Sequence, residues 1–181
     1  AIRSALAVEL KEQMGVKRML KREDEIVPVL LKEMCTISGL HILADNITHR
    51  LGIISFFLDD IHYNLAVRIL NDRFGIQVRG GCDCAGTYGH YLLHVDPRHS
   101  NEITNRIDHG DFSTKPGWIR LSIHPTTTND EVAYILDALR SLRKNIRKWE
   151  KDYKYNLHNN EFSHKRFTEP THKIVQQWFE L

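Results

Sequence analysis

The sequence predicts an α/β fold, in which helices pack on a small sheet. Three observations indicate it. The 181 residues suit one domain with a buried hydrophobic core. Apolar residues recur with helical spacing in some segments and with strand spacing in others. The resulting order is helix, helix, strand, strand, helix, strand, long loop, strand and helix, and elements in such an order bury their apolar faces in packed layers.

Two helices are predicted at the start of the chain. Residues 2–14 are rich in helix formers, Gly15 interrupts them, and residues 16–34 carry apolar side chains at helical spacing. Pro28 lies inside the second segment and should kink or divide that helix. Cys35 follows the apolar positions of the second helix, so we expect a buried and unreactive thiol. Because the chain begins within helical sequence, we also expect it to be part of a longer protein.

Strands are predicted at 40–44 and 51–58, and the second is apolar throughout, as in strands buried on both faces. A helix follows over 62–73, and Gly75 supplies its C-terminal turn. Residues 76–78 should form a short third strand.

The second half of the chain gives one strand and one strong helix. Residues 118–123 alternate as a strand, and Thr128 and Glu131 form a capping-box pattern before an amphipathic helix. The chain turns polar after Trp149, and only 174–179 indicates a further helix.

The loop after the third strand carries the sharpest local motif, Arg79-Gly80-Gly81-Cys82-Asp83-Cys84. Glycines directly after a strand allow a tight turn and close approach of a ligand. A cysteine in such a loop is accessible, and a neighbouring arginine favours its thiolate. The motif alone leaves open a nucleophile, a thiol that only fills space, and a metal ligand.

A zinc site is the metal alternative, because Cys82, Cys84, His90 and His94 follow the pattern C-x-C-x5-H-x3-H. Structural zinc sites have two to four residues between the first two cysteines, so a single residue is a tight spacing. We therefore predict no metal.

Arg120 is the second candidate site residue. Ile119, Leu121 and Ile123 should face the core, so the Arg120 side chain should point to the opposite face of its strand. A guanidinium there could hold a substrate carboxylate through two parallel hydrogen bonds. An ordinary surface arginine is the alternative.

Composition excludes several classes of function. The formal net charge of +2 indicates no nucleic-acid partner, and the basic residues at 140–154 lie opposite an apolar stripe, as on a solvated helix face. The sequence has no apolar run long enough for a membrane span and no signal peptide, so we expect a cytoplasmic protein without a membrane partner. Three cysteines do not form a disulfide framework.

Two segments, FGIQVRGGCDCAGTYGHYLL (74–93) and KPGWIRLSIHPTTTNDE (115–131), carry a family resemblance. In this order they resemble the C-terminal small domain of class V aminotransferases, the group that holds cysteine desulfurases and selenocysteine lyases. The resemblance covers 1–148, including a helical arm at 1–14, and leaves 149–181 as a polar tail with a short helix.

The resemblance implies roles for individual residues. Cys84 matches the catalytic cysteine of the desulfurase branch, which takes up sulfur or selenium as a persulfide. Cys82 is an additional cysteine, so either thiol could react, or the pair could oxidise together. Arg79 matches the arginine at the strand end. Arg120 matches the arginine that binds the substrate α-carboxylate.

The resemblance also implies partners that this chain does not supply. In the family, a large N-terminal domain holds pyridoxal phosphate, and intact members act on amino acids and are commonly homodimers. Lys165 follows Ser-His as a cofactor lysine does, but it lies in the polar tail. We therefore expect pyridoxal phosphate in the intact parent protein, none on this chain, and no activity from this chain alone.

Other functions stay open at this point, both within the family and outside it. The segment 93–115 is longer than in a typical desulfurase, so a lyase or transaminase reaction is possible within the family. Outside it, the chain could be a non-catalytic protein-interaction domain or a zinc-binding module.

Overall fold

The protein forms a four-stranded antiparallel sheet with helices packed against one face. The structure, a computed structural model, describes residues 2–82, 86–166 and 171–179. The helices and strands up to the sheet's last strand are α1 (Ile2–Met14), α2 (Val16–Met34), β1 (Leu40–Ile42), β2 (Ile53–Leu58), α3 (Tyr63–Phe74), β3 (Arg79–Gly81), α4 (Gly86–Leu92), α5 (Pro97–Asp108) and β4 (Trp118–Ser122). They are followed by α6 (Asn129–Trp149), a 3-10 turn (Glu150–Asp152), β5 (Tyr153–Asn156), β6 (Glu161–His164) and α7 (Thr171–Phe179). The sheet order is β1-β2-β4-β3, and β5 and β6 form a separate hairpin.

The core lies between this sheet and helices α2, α3 and α6. Alternate strand residues such as Ile54, Phe56 and Ile119 are fully buried beneath these helices. Their burial is the main stabilising contribution, since each large apolar side chain removed from water is worth about 1.5–3 kcal/mol. The predicted α/β fold class is confirmed.

Strand β2 differs from its prediction, because only one of its faces is buried. Ile54, Phe56 and Leu58 face the core, whereas Ile53 is 46% exposed and Ser55 is half-buried. The continuous apolar run does not reflect burial on both faces. It instead leaves an apolar residue on the outer face of the sheet.

Strand β3 forms three residues later than predicted, at Arg79–Gly81 instead of 76–78. The strand is defined by its pairing with β4, which places Arg79 opposite Arg120 and Gly81 opposite Trp118. Residues 76–78 are the connection that leads into it.

The caps of two helices agree with the sequence. Gly75 ends α3 in the left-handed conformation at φ 65°. The capping box of α6 is present, with the Glu131 N–H donating to Thr128 Oγ1 and the Thr128 N–H donating to the Glu131 carboxylate. These bonds satisfy amide groups that the first turn would otherwise leave unpaired.

Helix α2 bears on two predictions. It continues through Pro28 as one helix from Val16 to Met34, so the proline does not divide it, and a kink at Pro28 stays a prediction. The thiol of Cys35 is exposed and not in the core, because the helix ends at Met34 and Cys35 is its C-terminal cap.

The C-terminal segment contains a hairpin that the sequence reading did not predict. Strands β5 and β6 pair from Tyr153–His164 to Asn156–Glu161 and pack against α3. The helix predicted at 174–179 is present as α7. The domain boundary at 148 stays a prediction. Among the described residues, no helix has the length and apolar character that crossing a membrane requires.

Candidate functional site

The two candidate arginines lie side by side on the outer face of the sheet. The register pairs Ser55 of β2 with Arg120 of β4, and Arg120 with Arg79 of β3. Ile119 and Leu121 are buried on the opposite face, so the prediction that Arg120 points away from the core is confirmed. Arg120 is half-buried, its Nε atom is buried, and Arg79 is exposed. Two adjacent guanidinium groups with a hydroxyl beside them form a surface suited to an anion.

Helix α4 closes one end of this arginine row. Trp118 is two residues before Arg120 and therefore lies on the same face of β4. A Cβ atom at Gly89 of α4 would be 3.1 Å from the Trp118 ring and 3.4 Å from Cys82 Cβ. The lack of a side chain at Gly89 thus lets α4 pack closely on both residues. Cys82, the tryptophan and the arginine row consequently lie next to one another.

Tyr63 supports the ends of both arginine strands from the core side. A Cβ atom at Gly80 would be 3.0 Å from Tyr63 Cδ2, and one at Gly117 would be 2.6 Å from Tyr63 Cε1. The ring therefore lies against the backbone of β3 and against the residue that precedes β4. The sequence predicted Gly80 and Gly81 as loop residues. Gly80 is instead the point at which β3 closely contacts α3. Gly81 ends β3 with φ 125°, a conformation that favours glycine.

A polar network surrounds Tyr63. Asn160, at the tip of the hairpin, donates from Nδ2 to the Tyr63 hydroxyl at 2.7 Å, and Tyr155 donates to Asn160 Oδ1 at 2.9 Å. Burial raises the pKa of Tyr63, the hydrogen bond from Asn160 opposes this shift, and the charge of Cys82 adds to it. The hydroxyl therefore stays protonated at neutral pH.

His62 completes this network at the start of α3. Its ring stacks on Tyr63 at 4.6 Å between centroids, and its Nδ1 accepts a hydrogen bond from the Asn64 N–H. Burial lowers the pKa of His62, with a smaller opposite effect from Asn160. A neutral histidine therefore caps the helix. Neither Tyr63 nor Asn160 was identified from sequence, although an Asn pair at a turn between aromatic residues is a hairpin signal.

Of the two cysteines predicted as nucleophiles, the structure describes Cys82 and not Cys84. Cys84 lies outside the described residues, so its role stays a prediction. Cys82 is described, half-buried, and lies at the end of the arginine row. Among the described residues no three His, Cys, Asp or Glu side chains are grouped as metal ligands.

Lys165 and the basic residues of α6, both noted in the sequence, contact neighbouring parts of the chain. Lys165 is exposed, and its Nζ donates to the Lys151 carbonyl at 2.6 Å. On α6, Arg140 pairs with Glu33 at 2.6 Å and Arg143 donates to the Ser38 carbonyl at 2.8 Å. These basic residues hold α6 to neighbouring segments, and the absence of a nucleic-acid partner stays a prediction.

A cavity of about 850 Å³ lies between α3 and the hairpin. Its lining includes Asn64, Lys115, His158 and Asn160. It adjoins the polar network around Tyr63 through Asn64 and Asn160, and Arg79 and Arg120 are not part of its lining.

The fold and the arginine row define an α/β protein with an outer sheet face suited to anions. The family model described as "Aminotransferase class-V" matches residues 1–135. This match covers most of the chain, and the chain belongs to the class V aminotransferase family.

Individual relatives agree with this family. A protein of Staphylococcus epidermidis named "Probable cysteine desulfurase" is 35% identical over 86 residues, which are 47% of this chain and 20% of that protein. A Staphylococcus aureus protein of the same name is 33% identical over 86 residues, with the same coverage of 47% and 20%. The match thus spans about a fifth of the length of these curated relatives.

A solved structure shares the fold. The apo structure of a cysteine desulfurase from Thermococcus onnurineus superposes with a TM-score of 0.52 at 19% identity, covering 74% of this chain and 28% of that one. At this level of identity the similarity shows the fold alone.

Proposed function

We propose that this chain is the C-terminal, substrate-side domain of a pyridoxal-phosphate enzyme of the cysteine desulfurase or selenocysteine lyase type. The observation that carries the proposal is the pairing of Arg79 with Arg120 on one sheet face, at the strand end that Cys82 directly follows. This face binds the α-carboxylate of an amino acid, and the loop that holds Cys82 and Cys84 supplies the thiol that accepts sulfur or selenium.

Arg120 is the better placed of the two arginines for this role. It occupies an inner strand between Ser55 and Arg79, and its guanidinium is partly withdrawn from water, which strengthens a charge-assisted hydrogen bond. Arg79, on the edge strand, is exposed and adds positive charge to the same surface.

The described residues do not fit the cofactor itself. Lys165 is exposed and bound to a backbone carbonyl of its own hairpin region, whereas a lysine that carries the cofactor needs a buried setting that favours its neutral amine. We assign cofactor binding to a separate large domain of the intact protein. The described part of the chain offers a substrate-binding face but no cofactor site, and we infer that this chain alone is inactive.

Exposed apolar residues favour a docking partner for the sheet face. Ile53, which lies on the outer face, is 46% exposed, and Leu51 just before the strand is 59% exposed. A large domain that closes over the arginine row would cover them and exclude water from the bound substrate. We also propose that the intact protein is a homodimer, as the family resemblance implies, and that it is cytoplasmic, as expected from the sequence.

The decisive experiment replaces Arg120 by alanine in the intact protein and measures sulfide release from L-cysteine. We expect KM to rise at least about tenfold, because a charge-assisted hydrogen bond is worth about 1.5–3 kcal/mol and 1.4 kcal/mol is a factor of ten. Arg106→Ala, at an exposed position on α5, is the matched control and should leave KM unchanged. An unchanged KM in the Arg120 variant would remove this residue from the site.

A second experiment tests the thiol. Cys84→Ser in the intact protein should stop persulfide formation, detected by mass spectrometry, while the absorbance of bound pyridoxal phosphate remains. Cys82→Ser decides which cysteine carries the sulfur. If both variants release sulfide at the original rate, neither thiol carries the sulfur, and the proposed persulfide step in this loop is wrong. If the isolated chain 1–181 binds pyridoxal phosphate, our assignment of the cofactor to another domain is wrong.

A further inference from the structure

We propose that Asn160 is a positioning residue, which holds Tyr63 and through it fixes the segment Arg79–Cys82 beside Arg120. The effect on substrate rests on the proposed function, whereas the effect on the position of Cys82 does not. Asn160 lies outside the family match, which ends at residue 135.

Strand β3 needs such a support. It has three residues, two of them glycines, and it lies at the edge of the sheet with β4 as its single neighbour. Glycines lose the most conformational entropy on ordering, and an edge strand has hydrogen bonds on one side only. The backbone that carries Arg79 and leads to Cys82 is thus weakly restrained by the sheet alone.

The Tyr63 ring supplies the missing restraint. A Cβ atom at Gly80 would approach it to 3.0 Å, and one at Gly117 would approach it to 2.6 Å, so the ring contacts both strand ends at once. Displacement of the ring would free β3 and the residue before β4 together. The ring therefore helps to hold the two arginine-bearing strands in place, together with Asn64 and Val67, which lie 2.6 and 3.0 Å from the Gly80 Cβ position.

Asn160 holds that ring through one hydrogen bond and is itself held in place by two others. Its Nδ2 donates to the Tyr63 hydroxyl at 2.7 Å, its carbonyl accepts from Asn64 Nδ2 at 2.5 Å, and its Oδ1 accepts from the Tyr155 hydroxyl at 2.9 Å. The backbone of Asn160 is left-handed at φ 60°, a conformation that asparagine tolerates better than most residues. The side chain thus connects the hairpin tip to the first turn of α3.

The test measures alkylation of Cys82 by iodoacetamide in the intact protein, with the site resolved by tandem mass spectrometry. Asn160→Gly keeps the left-handed backbone accessible and removes the amide. We expect alkylation about fivefold faster, the factor that corresponds to loss of the hydrogen bond to Tyr63, the one of the two lost side-chain bonds that holds the ring. Asn159→Gly is the matched control, because Asn159 is exposed and, among the described residues, its side chain bonds with Glu161 alone. It should not change the rate.

Tyr63→Phe provides a milder second variant, because it keeps the ring and removes the hydroxyl. It should accelerate alkylation in the same way, and the double variant with Asn160→Gly should be no faster than either single one. In the same variants KM for L-cysteine should rise while kcat changes less, since the arginine spacing is disturbed.

The inference is overturned if Asn160→Gly lowers the melting temperature and leaves the alkylation rate of Cys82 unchanged, which indicates a structural role only. Equal acceleration in the Asn159 variant also overturns it. A protein that releases no sulfide from L-cysteine but shows the expected alkylation pattern contradicts the proposed function and supports the positioning role of Asn160.

Discussion

Replacing Gly117 by alanine should destabilise the protein through a single steric contact. The added Cβ would lie 2.6, 2.8 and 2.9 Å from three atoms of the Tyr63 ring. Carbon atoms in contact are ordinarily about 3.5–4.0 Å apart, so the ring must move by roughly 1 Å. The ring is 6% exposed, stacked on His62 and bonded to Asn160, so it cannot move without loss.

The expected cost follows from these contacts. Overpacking costs about 1–3 kcal/mol and the strained hydrogen bond to Tyr63 about 1 kcal/mol more. Alanine restricts the unfolded chain relative to glycine, which returns about 0.4–1 kcal/mol. The net loss in the free energy of unfolding should be about 2 kcal/mol.

Urea denaturation followed by circular dichroism measures this loss as a lower midpoint with an unchanged m-value. Gly86→Ala is the matched control, because no described residue lies within 4 Å of its Cβ position and it is part of α4, where alanine is preferred. It should be neutral or slightly stabilising. The Gly117 substitution should cost much less in a Tyr63→Ala background, where the ring is gone. If the two glycine substitutions shift the midpoint equally, the reasoning from Tyr63 is wrong.

Two further predictions concern the starts of helices α3 and α6. The lowered pKa of His62 means that the unfolded chain binds a proton more readily than the folded one, so stability should fall as the pH decreases below the ordinary value of 6.5. His62→Asn keeps a hydrogen-bond acceptor for the cap but does not titrate, so urea titrations at different pH values should show a flatter pH dependence of stability. His49→Asn, at an exposed position, is the control. An unchanged pH dependence in the His62 variant would contradict this prediction. Thr128→Ala should cost about 1 kcal/mol, because it removes the cap of α6. Hydrogen bonds from Thr128 now hold the pKa of Glu131 below its ordinary value of 4.5, so Thr128→Ala should also raise this pKa in an NMR titration. The control Thr114→Ala should change neither the stability nor the pKa of Glu131.

Local features of the site could be predicted from the sequence because they depend on neighbouring residues. The alternation of Ile119, Arg120 and Leu121 sets the face on which the arginine lies, since successive strand residues point to opposite sides. The left-handed turn at Gly75 and the cap at Thr128 have the same origin in short-range geometry.

Features that depend on pairing were predicted less well. Residues 76–78 have better strand formers than Arg79–Gly81, yet the strand forms at the glycines, because β3 exists through its hydrogen bonds with β4. The hairpin of β5 and β6 was missed for a similar reason. Its residues are mostly polar, and packing against α3 stabilises it.

The sequence by itself determined the fold class, the order of the main elements and the outward orientation of Arg120, since apolar periodicity and cap residues encode these locally. Only the tertiary structure decided that Arg79 stands opposite Arg120 and that Asn160 reaches Tyr63 across 97 residues of chain. Strand register and the packing of distant segments are set by the free energy of the whole core, which no local pattern contains.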